Sequence, residues 1–525
     1  MGKTIGIDLG TTNTCVAAML NGKPFVIPSS TGNRLIPSYF AVTNDEKTLV
    51  GVRAKRQSIT NPKNTIFAAK RLIGRRYDSR EVQVTKEKVP YGIVQGPHED
   101  ARVMCGGKSM SIPEICAFIL LEAKNVAQGF LEDEIEGACI TVPAYFNENQ
   151  RQATIDAAEI AGLKVLRIIN EPTASALAYA QKRSKKRELI AVYDFGGGTF
   201  DISILEFGEG VYEVLSTAGN TYLGGEDIDN RVINYILEDF KKTHGADLMQ
   251  DVMAMQRLKE AAERAKIELS SQTEAMISLP FLTETSQGSV HYNTVIMRSK
   301  LEELMSDLVE NTIQICKDTL GSAGLKKTEI DEVILVGGQT RAPLVIKKVN
   351  EFFEKQPNRS INPDEVVAEG AAIHAYNIVS PLPSNILVDI TALSLGIQTK
   401  GGMFAEIIPR NTSVPVTKTR KFTTTYDNQD AVRIAVYQGN EEMADDNELL
   451  GEFVLSDIRR AKKGEPNIEV SFDMNSEGIL KVTAKDADRG TEQTVTLEAA
   501  SGLSADEITA MKKKMTSLEL ELKEQ

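Results

Sequence analysis

The spacing of apolar positions changes character along the chain. Up to about residue 376, short apolar runs alternate with stretches of three- and four-residue periodicity. Ile5-Gly6-Ile7, Cys15 to Ala17, Ala138 to Val142, Val165 to Ile169, Ile190 to Phe195, Ile202 to Leu205 and Val333 to Val336 read as strands. Ile115, Phe118, Ile119, Glu122 and Val126 mark a helix over 112–130, and Gln150 to Ala161 forms another, closed by Gly162. Further helices open at about Asp229, run from Ala254 to Ser271 with Leu258, Ala262, Ala265 and Leu269 on one stripe, and close the region over Glu365–Tyr376. Residues 1–110 alternate short strands and turns. Such alternation predicts an α/β architecture.

From Ile390 to Leu497 the period becomes two. Val432, Ile434 and Val436 alternate with Arg433, Ala435 and Tyr437; Ile468, Val470, Phe472 and Leu480, Val482, Ala484 repeat the pattern, with Asn475-Ser476-Glu477-Gly478 as a hairpin turn. This predicts an antiparallel β-sandwich. The Pro/Ser-rich Ser380–Asn385 separates the two regions, and the apolar Ile386-Leu387-Val388 follows it. The units are therefore 1–379, a linker at 380–389, a sandwich over 390–500 and a helical segment over 501–525. That last segment opens with the capping box Ser504-Ala505-Asp506-Glu507. Ile508, Met511, Met515, Leu518 and Leu522 then form a stripe expected to pack on the sandwich.

Size and charge narrow the partners. A chain of 525 residues holds three or four units able to bury a core. A net charge of −13 argues against nucleic acid. The basic run Lys182–Arg187 reads as a solvated loop. Cys15, Cys105, Cys116, Cys139 and Cys316, with no C-x-x-C, fit reduced buried thiols. No apolar run reaches the ~18 residues of a membrane helix, and Gly6 stands where N-myristoylation wants Ser or Thr. The expected protein is soluble and cytoplasmic, without membrane or nucleic-acid partners.

The chemistry sits in two turns. Asp194-Phe195-Gly196-Gly197-Gly198-Thr199-Phe200-Asp201 joins two strands, and Asp8-Leu9-Gly10-Thr11-Thr12-Asn13 repeats the arrangement near the N-terminus. Glycines there let backbone N–H groups approach an anion, and carboxylates beside a phosphate imply a bridging divalent cation. Two such hairpins a domain's length apart predict two like-folded lobes facing across a nucleotide. The Gly224-Gly225 turn opens a helix whose N–H groups suit phosphate, and Gly337-Gly338 gives a further close approach. Glu263, Lys266 and Ser270 share one helix face, and Arg341 is placed to stack on a base.

These motifs, with Asn170-Glu171-Pro172-Thr173, Val336-Gly337-Gly338-Gln339-Thr340-Arg341, Asp389-Ile390-Thr391-Ala392-Leu393-Ser394-Leu395-Gly396 and Asp427-Asn428-Gln429, resemble the seventy-kilodalton heat-shock chaperones, the bacterial DnaK branch most of all. The resemblance spans essentially the whole chain. It implies an α/β actin-like ATPase domain, duplicated in the ribonuclease-H-like manner, followed by a peptide-binding β-sandwich. It implies ATP and ADP as ligands, with Mg2+ and, as a further ion, K+. Asp8, Asp194 and Asp201 would surround hydrated magnesium; Lys70, Glu171 and Thr199 would act at the γ-phosphate and attacking water. Gly10, Thr11, Thr12, Asn13 and Gly196–Gly198 would hold phosphates, and Gly224, Gly225, Glu263, Lys266, Ser270, Gly337, Gly338 and Arg341 the rest of the nucleotide. Pro143, Arg151, Arg167 and Asp389 would couple nucleotide to sandwich, with Arg167 the cation for Asp389. Ile397, Thr399, Lys400, Phe422, Thr423, Thr425, Gln429, Val432 and Ile434 would meet peptide. Unfolded peptides, a J-domain co-chaperone and a GrpE-type exchange factor are the implied partners.

Three departures stand out. Ile267 occupies a position where some eukaryotic members place an arginine beside adenine. The chain ends within the first lid helix, which implies weak, fast-exchanging peptide binding. Lys400 and Thr425 stand where the arch over the groove is an apolar pair, so acidic flanks should be favoured. The alternatives are a small-molecule kinase, or a filament-forming or regulatory ATPase, of the same fold. Asp194-Phe195-Gly196 also mimics a protein-kinase motif, but the companion motifs are missing.

Overall fold

The computed structural model describes residues 3–181, 187–208, 210–285, 288–380, 386–475, 478–497 and 502–524. The basic run at 182–186, the linker residues 381–385 and the hairpin tip Ser476-Glu477 lie outside the described residues.

Two sheets with matching wiring form the first two-thirds of the chain. In one, the hairpin Lys3–Leu9/Asn13–Leu20 pairs in parallel with Ile135–Val142, which pairs with Val165–Asn170. In the other, the hairpin Glu188–Phe195/Phe200–Gly208 pairs in parallel with Glu332–Val336. Contiguous apolar runs form these strands because helices cover both faces. Ala191, Tyr193, Phe195, Phe200 and Ile202 pack on one side with Gly225–His244, Val252–Glu268 and Arg298–Ser322; Ile190 and Val192 pack on the other. Tyr193 and Phe200 pack with ring centroids 4.8 Å apart and planes tilted by 60°.

Glu171–Ala180 and Val366–Val379 cross between the two sheets. The first lies against Glu188–Phe195 and Phe200–Gly208, the second against Lys3–Leu9 and Asn13–Leu20. They touch backbone to backbone: a Cβ on Gly370 would fall 1.7 Å from the Ala174 carbonyl oxygen.

Ile386–Val388 joins the second sheet as an added parallel strand, Tyr212 facing Leu387. Beyond it, two four-stranded antiparallel sheets enclose a core of Leu395, Ile434, Val470, Phe472 and Val482. The strict alternation expected at 432–437 is broken. Ala435 and Tyr437 are buried as well, packed with Ala444 and Phe404 over the sheet's outer face.

Among the described residues the Ala505–Glu524 helix packs on the first lobe and not on the sandwich; the Leu518 and Leu522 side chains lie outside the described residues. Ile508, Met511 and Met515 join the core of the first lobe, against Ile112–Leu131 and Glu148–Ile160. Charge fixes the choice: Lys514 pairs with Glu114 at 2.7 Å, and Glu507 with Arg102 at 3.0 Å and His98 at 3.1 Å. Burial raises the Glu507 pKa, but the Ser504 N–H and the Arg102 guanidinium outweigh it and hold the carboxyl down at about 2.

Candidate active site

The two hairpin turns meet face to face. A Cβ on Gly197 would lie 2.1 Å from Thr12 Oγ1, and one on Gly198 2.6 Å from Thr11 Oγ1, so only glycine permits this approach. Gly10 is likewise closed by the Asn13 carbonyl oxygen, 2.1 Å from where its Cβ would stand. A cleft of about 330 Å³ opens between the turns. Asp8, Gly10, Thr11, Thr12, Asn13, Lys70, Glu171, Asp194, Gly196, Gly197, Thr199, Gly225, Glu263, Lys266, Gly337, Gly338 and Arg341 all line it.

The Gly224-Gly225 turn works differently from the expectation. Its N–H groups are not free for phosphate. Gly225 N donates to Gly196 O at 3.0 Å and Glu226 N to Gly197 O at 2.9 Å, while Asp227 reaches back to Gly224 N at 3.0 Å. This helix start therefore braces the Gly196–Gly198 turn. Asp227 also explains why the helix begins at Gly225 instead of near Asp229.

Within the cleft, Lys70 Nζ lies 2.6 Å from Glu171 Oε1, with both side chains buried. Asp8 and Asp194 end equivalent strands; Asp201 faces Asp194 across the hairpin and accepts the Tyr145 N–H at 3.1 Å. Burial, then the charge on Glu171, pushes Asp8 up to about 7 and Asp201 to about 8; Asp194 rises well above the usual range. One lysine thus faces four carboxylates in a desolvated cleft. That donor set fits a divalent cation, which would relieve the mutual repulsion. Among the described residues no three His, Cys, Asp or Glu side chains form a group that could hold a metal ion directly.

Arg71, beside Lys70, was not singled out by sequence. It is buried, bonds Asp227 at 2.5 Å and Gly198 O at 3.2 Å, and stacks on Tyr222. Nothing in the sequence separates it from its basic neighbours.

At the far end, Lys266 donates to Asp229 at 2.8 Å and Gly225 O at 3.0 Å, and Arg341 to Asp364 at 2.6 Å. Ser270 lies past the last turn of Val252–Glu268 and does not line the cleft; its hydroxyl faces Lys266 O. Asp364, Gln339 and Val367 line the cleft without having been expected. Lys55 closes the mouth from the other lobe, 3.2 Å from Glu263, and Ser58 bonds Glu260 at 2.8 Å. With these side chains 33% and 22% exposed, the Lys55–Glu263 pair should be worth near ~1 kcal/mol. Lys55→Ala is therefore expected to speed release of a fluorescent ADP about fivefold. An unchanged rate in stopped flow would exclude this gate.

The four positions expected to couple nucleotide to sandwich lie near one another. Pro143 ends the Ile135–Val142 strand, and its carbonyl accepts the Phe146 N–H. Arg151 bonds Asn170 Oδ1 at 2.7 Å, and the Asn170 amide donates to Asp389 at 3.0 Å. Arg151 and Arg167 both lower the Asp389 pKa, but burial outweighs them and the carboxyl titrates above its ordinary value. Asn170 thus donates to Asp389, and Arg151 joins Arg167 in supplying positive charge to it. The sandwich docks alongside: Asn440 bonds the Tyr145 hydroxyl at 2.8 Å and Gln438 accepts the Glu148 N–H at 2.8 Å.

In the sandwich, Ile397 and Ile434 lie in the core, with Phe422 and Val432 half-buried against them. Thr399 closes the turn that carries the exposed Lys400. Thr423 and Thr425 are exposed, whereas Gln429 is buried and uses its amide on Thr425 N and Ala431 O.

Twin phosphate-scaled turns, an acidic cleft with one buried lysine, and a sandwich wired to it by a strand define a nucleotide-dependent machine with a separate binding module. A sequence model of the family described as Hsp70 protein matches residues 4–525, and the chain belongs to that family. Its members are ATPases and ATP-dependent chaperones that bind ATP or ADP with Mg2+, unfolded peptides and co-chaperones. Among the described residues no helix is long and apolar enough to cross a membrane.

Proposed function

We propose that this chain is a DnaK-type chaperone with an actin-like ATPase domain, in which ATP binding promotes peptide release and hydrolysis promotes retention. One observation carries the coupling. Glu171 and Asn170 are neighbours: the first bonds Lys70 in the cleft, the second bonds Asp389 at the end of the linker strand. A change at the γ-phosphate can therefore reach the linker through one peptide unit.

In this reading Lys70, Glu171 and Thr199 position the attacking water, and Thr11, Thr12 and the Gly196–Gly198 backbone hold phosphate oxygens. Asp8, Asp194 and Asp201 would hold hydrated Mg2+, which supplies charge neutralisation between the phosphates. K+ is a further candidate ion. Arg341, fixed by Asp364, presents its guanidinium plane to adenine. Basal turnover is slow and is raised by peptide and a J-domain co-chaperone; a GrpE-type factor serves nucleotide exchange. The reading places the protein in the cytoplasm.

The test is ATP turnover with and without an unfolded peptide. Stimulation by peptide is the expected result. Phosphoryl transfer to a sugar, without a peptide effect, would favour the kinase alternative.

A further inference from the structure

The Val416–Phe422 strand has an unusual inner face. It is the edge of its sheet and, among the described residues, pairs only with Ile468–Met474, so one side of its backbone has no strand partner. Its outward residues are matched across the ladder: Thr417 bonds Asp473 at 2.7 Å, Thr419 bonds Ser471 at 2.7 Å and Lys421 pairs with Glu469 at 3.4 Å. Lys418 and Arg420 take the other register, opposite Phe472 and Val470, which are fully buried. These two cations thus occupy core-facing positions at the rim of the sandwich while remaining exposed. Arg420 reaches across to the other sheet, donating to Glu406 O at 2.8 Å, and its guanidinium lies 5.6 Å from the Phe422 ring centre. A single bond to one carbonyl leaves most of its N–H donors available.

The neighbouring loop adds to this charge. Arg459, Arg460, Lys462 and Lys463 form one basic run, docked on the 424–428 segment through Asn428 N to Ala461 O at 2.8 Å and Gly464 N to Thr424 O at 3.2 Å. Arg459 pairs with Glu465 and Asp488, and Arg460 with Asp430. Lys400, Lys418, Lys462 and Lys463 have no ion-pair partner among the described residues. The nearby carboxylates are engaged: Glu406 by the Ser394 hydroxyl, Asp427 by the Lys463 N–H, Glu469 by Lys421. On a chain of net charge −13 this rim is a local reversal of sign.

We propose that the rim selects extended client segments whose apolar core is flanked by aspartate or glutamate, paired by Lys418 and Arg420. The inference rests on the chaperone reading above and names its substrate class. An extended segment can hydrogen-bond along the free strand edge while its apolar residues meet Phe422 and Val432. Its acidic residues then lie within reach of guanidinium and ammonium groups that already stand half out of water. Inward-pointing charges also serve merely to blunt an edge strand against aggregation, and the experiment separates the two roles.

Three labelled peptides share one leucine-rich core and carry Glu, Ser or Lys flanks. Anisotropy titrations on the full chain with ADP are run at low and high salt. Two partly exposed ion pairs should make the Glu-flanked peptide bind about fivefold tighter than the Ser-flanked one, and the gap should close in high salt. In the Lys418→Gln/Arg420→Gln variant the Glu-to-Ser affinity ratio should fall toward one. Equal affinities, tighter binding of the Lys-flanked peptide, or an unchanged ratio in the variant overturns the proposal. Self-association of the variant, with no flank preference in the parent, assigns these charges to edge protection and overturns it too. The peptide series on the unaltered chain decides even if the variant does not fold. Binding of the Ser-flanked peptide and its release by ATP report separately on the chaperone reading; absence of any peptide binding removes both.

Discussion

Lys70→Ala should bind ATP yet hydrolyse it at least about 100-fold more slowly, the scale of losing one strong transition-state contact. The ammonium is buried, 2.6 Å from Glu171, and its charge lowers the pKa of Asp8, Asp194 and Asp201. Phosphoryl transfer depends on positioning and charge compensation more than on covalent chemistry by the protein. In the proposed reading, removing this cation takes away both: among the described residues no other lysine is buried in the cleft, and Glu171 loses its 2.6 Å partner. Breaking one side of a buried pair also costs about 3–5 kcal/mol of stability. The measurement therefore needs a companion thermal melt with ADP, and Lys70→Met as a variant of similar bulk. Single-turnover hydrolysis within about tenfold of the parent would sink the assignment of Lys70 to the transition state.

Asp389→Ala should leave basal hydrolysis nearly intact and abolish ATP-driven peptide release. Asp389 is not among the residues lining the cleft; it is buried and accepts bonds from the Asn170 amide and the Ile390 N–H. Truncation leaves that amide unpaired and removes the carboxylate facing Arg151 and Arg167. A bond to a charged group is worth about 1.5–3 kcal/mol, enough to shift the docked linker population about 10- to 100-fold. Ile386–Val388 would then leave the edge of the second sheet without disturbing Lys70. Release of a pre-bound peptide after ATP addition is the readout, and a normal rate in the variant would refute this role.

Much of the site was legible because its chemistry sits in short local patterns. Asp, glycine and threonine between two apolar runs leave little choice of conformation, so both hairpins and their facing arrangement could be read directly. Side chains whose role is set by tertiary packing could not. Arg71 is one of several adjacent cations until folding brings Asp227 and Gly198 O to it. The Glu171–Ala180 helix was hidden behind Pro172, which a first helical turn tolerates because its missing N–H has no partner there. The amphipathic stripe at 508–515 announced a buried face but not its partner. The ion pairs to Glu114 and Arg102, distant in sequence, direct it to the first lobe. Ser270 lies apart from the cleft lining because the helix ends at Glu268, before the periodicity does.

The backbone contact between Gly370 and Ala174 has a mechanical consequence. At Gly370 no side chain stands between the two helices, and the residues around it are mostly small (Ala174, Ala178, Ala371), a contact that would yield to rotation more easily than to sliding or separation. The lobes would then turn like scissor blades on a fixed rivet. Residues near the pivot, Glu171 among them, sweep through small arcs, while the Lys55–Glu263 tips travel furthest for the same angle. A few degrees of opening can unlatch the tips and free a nucleotide while the carboxylates below keep their arrangement for the next one.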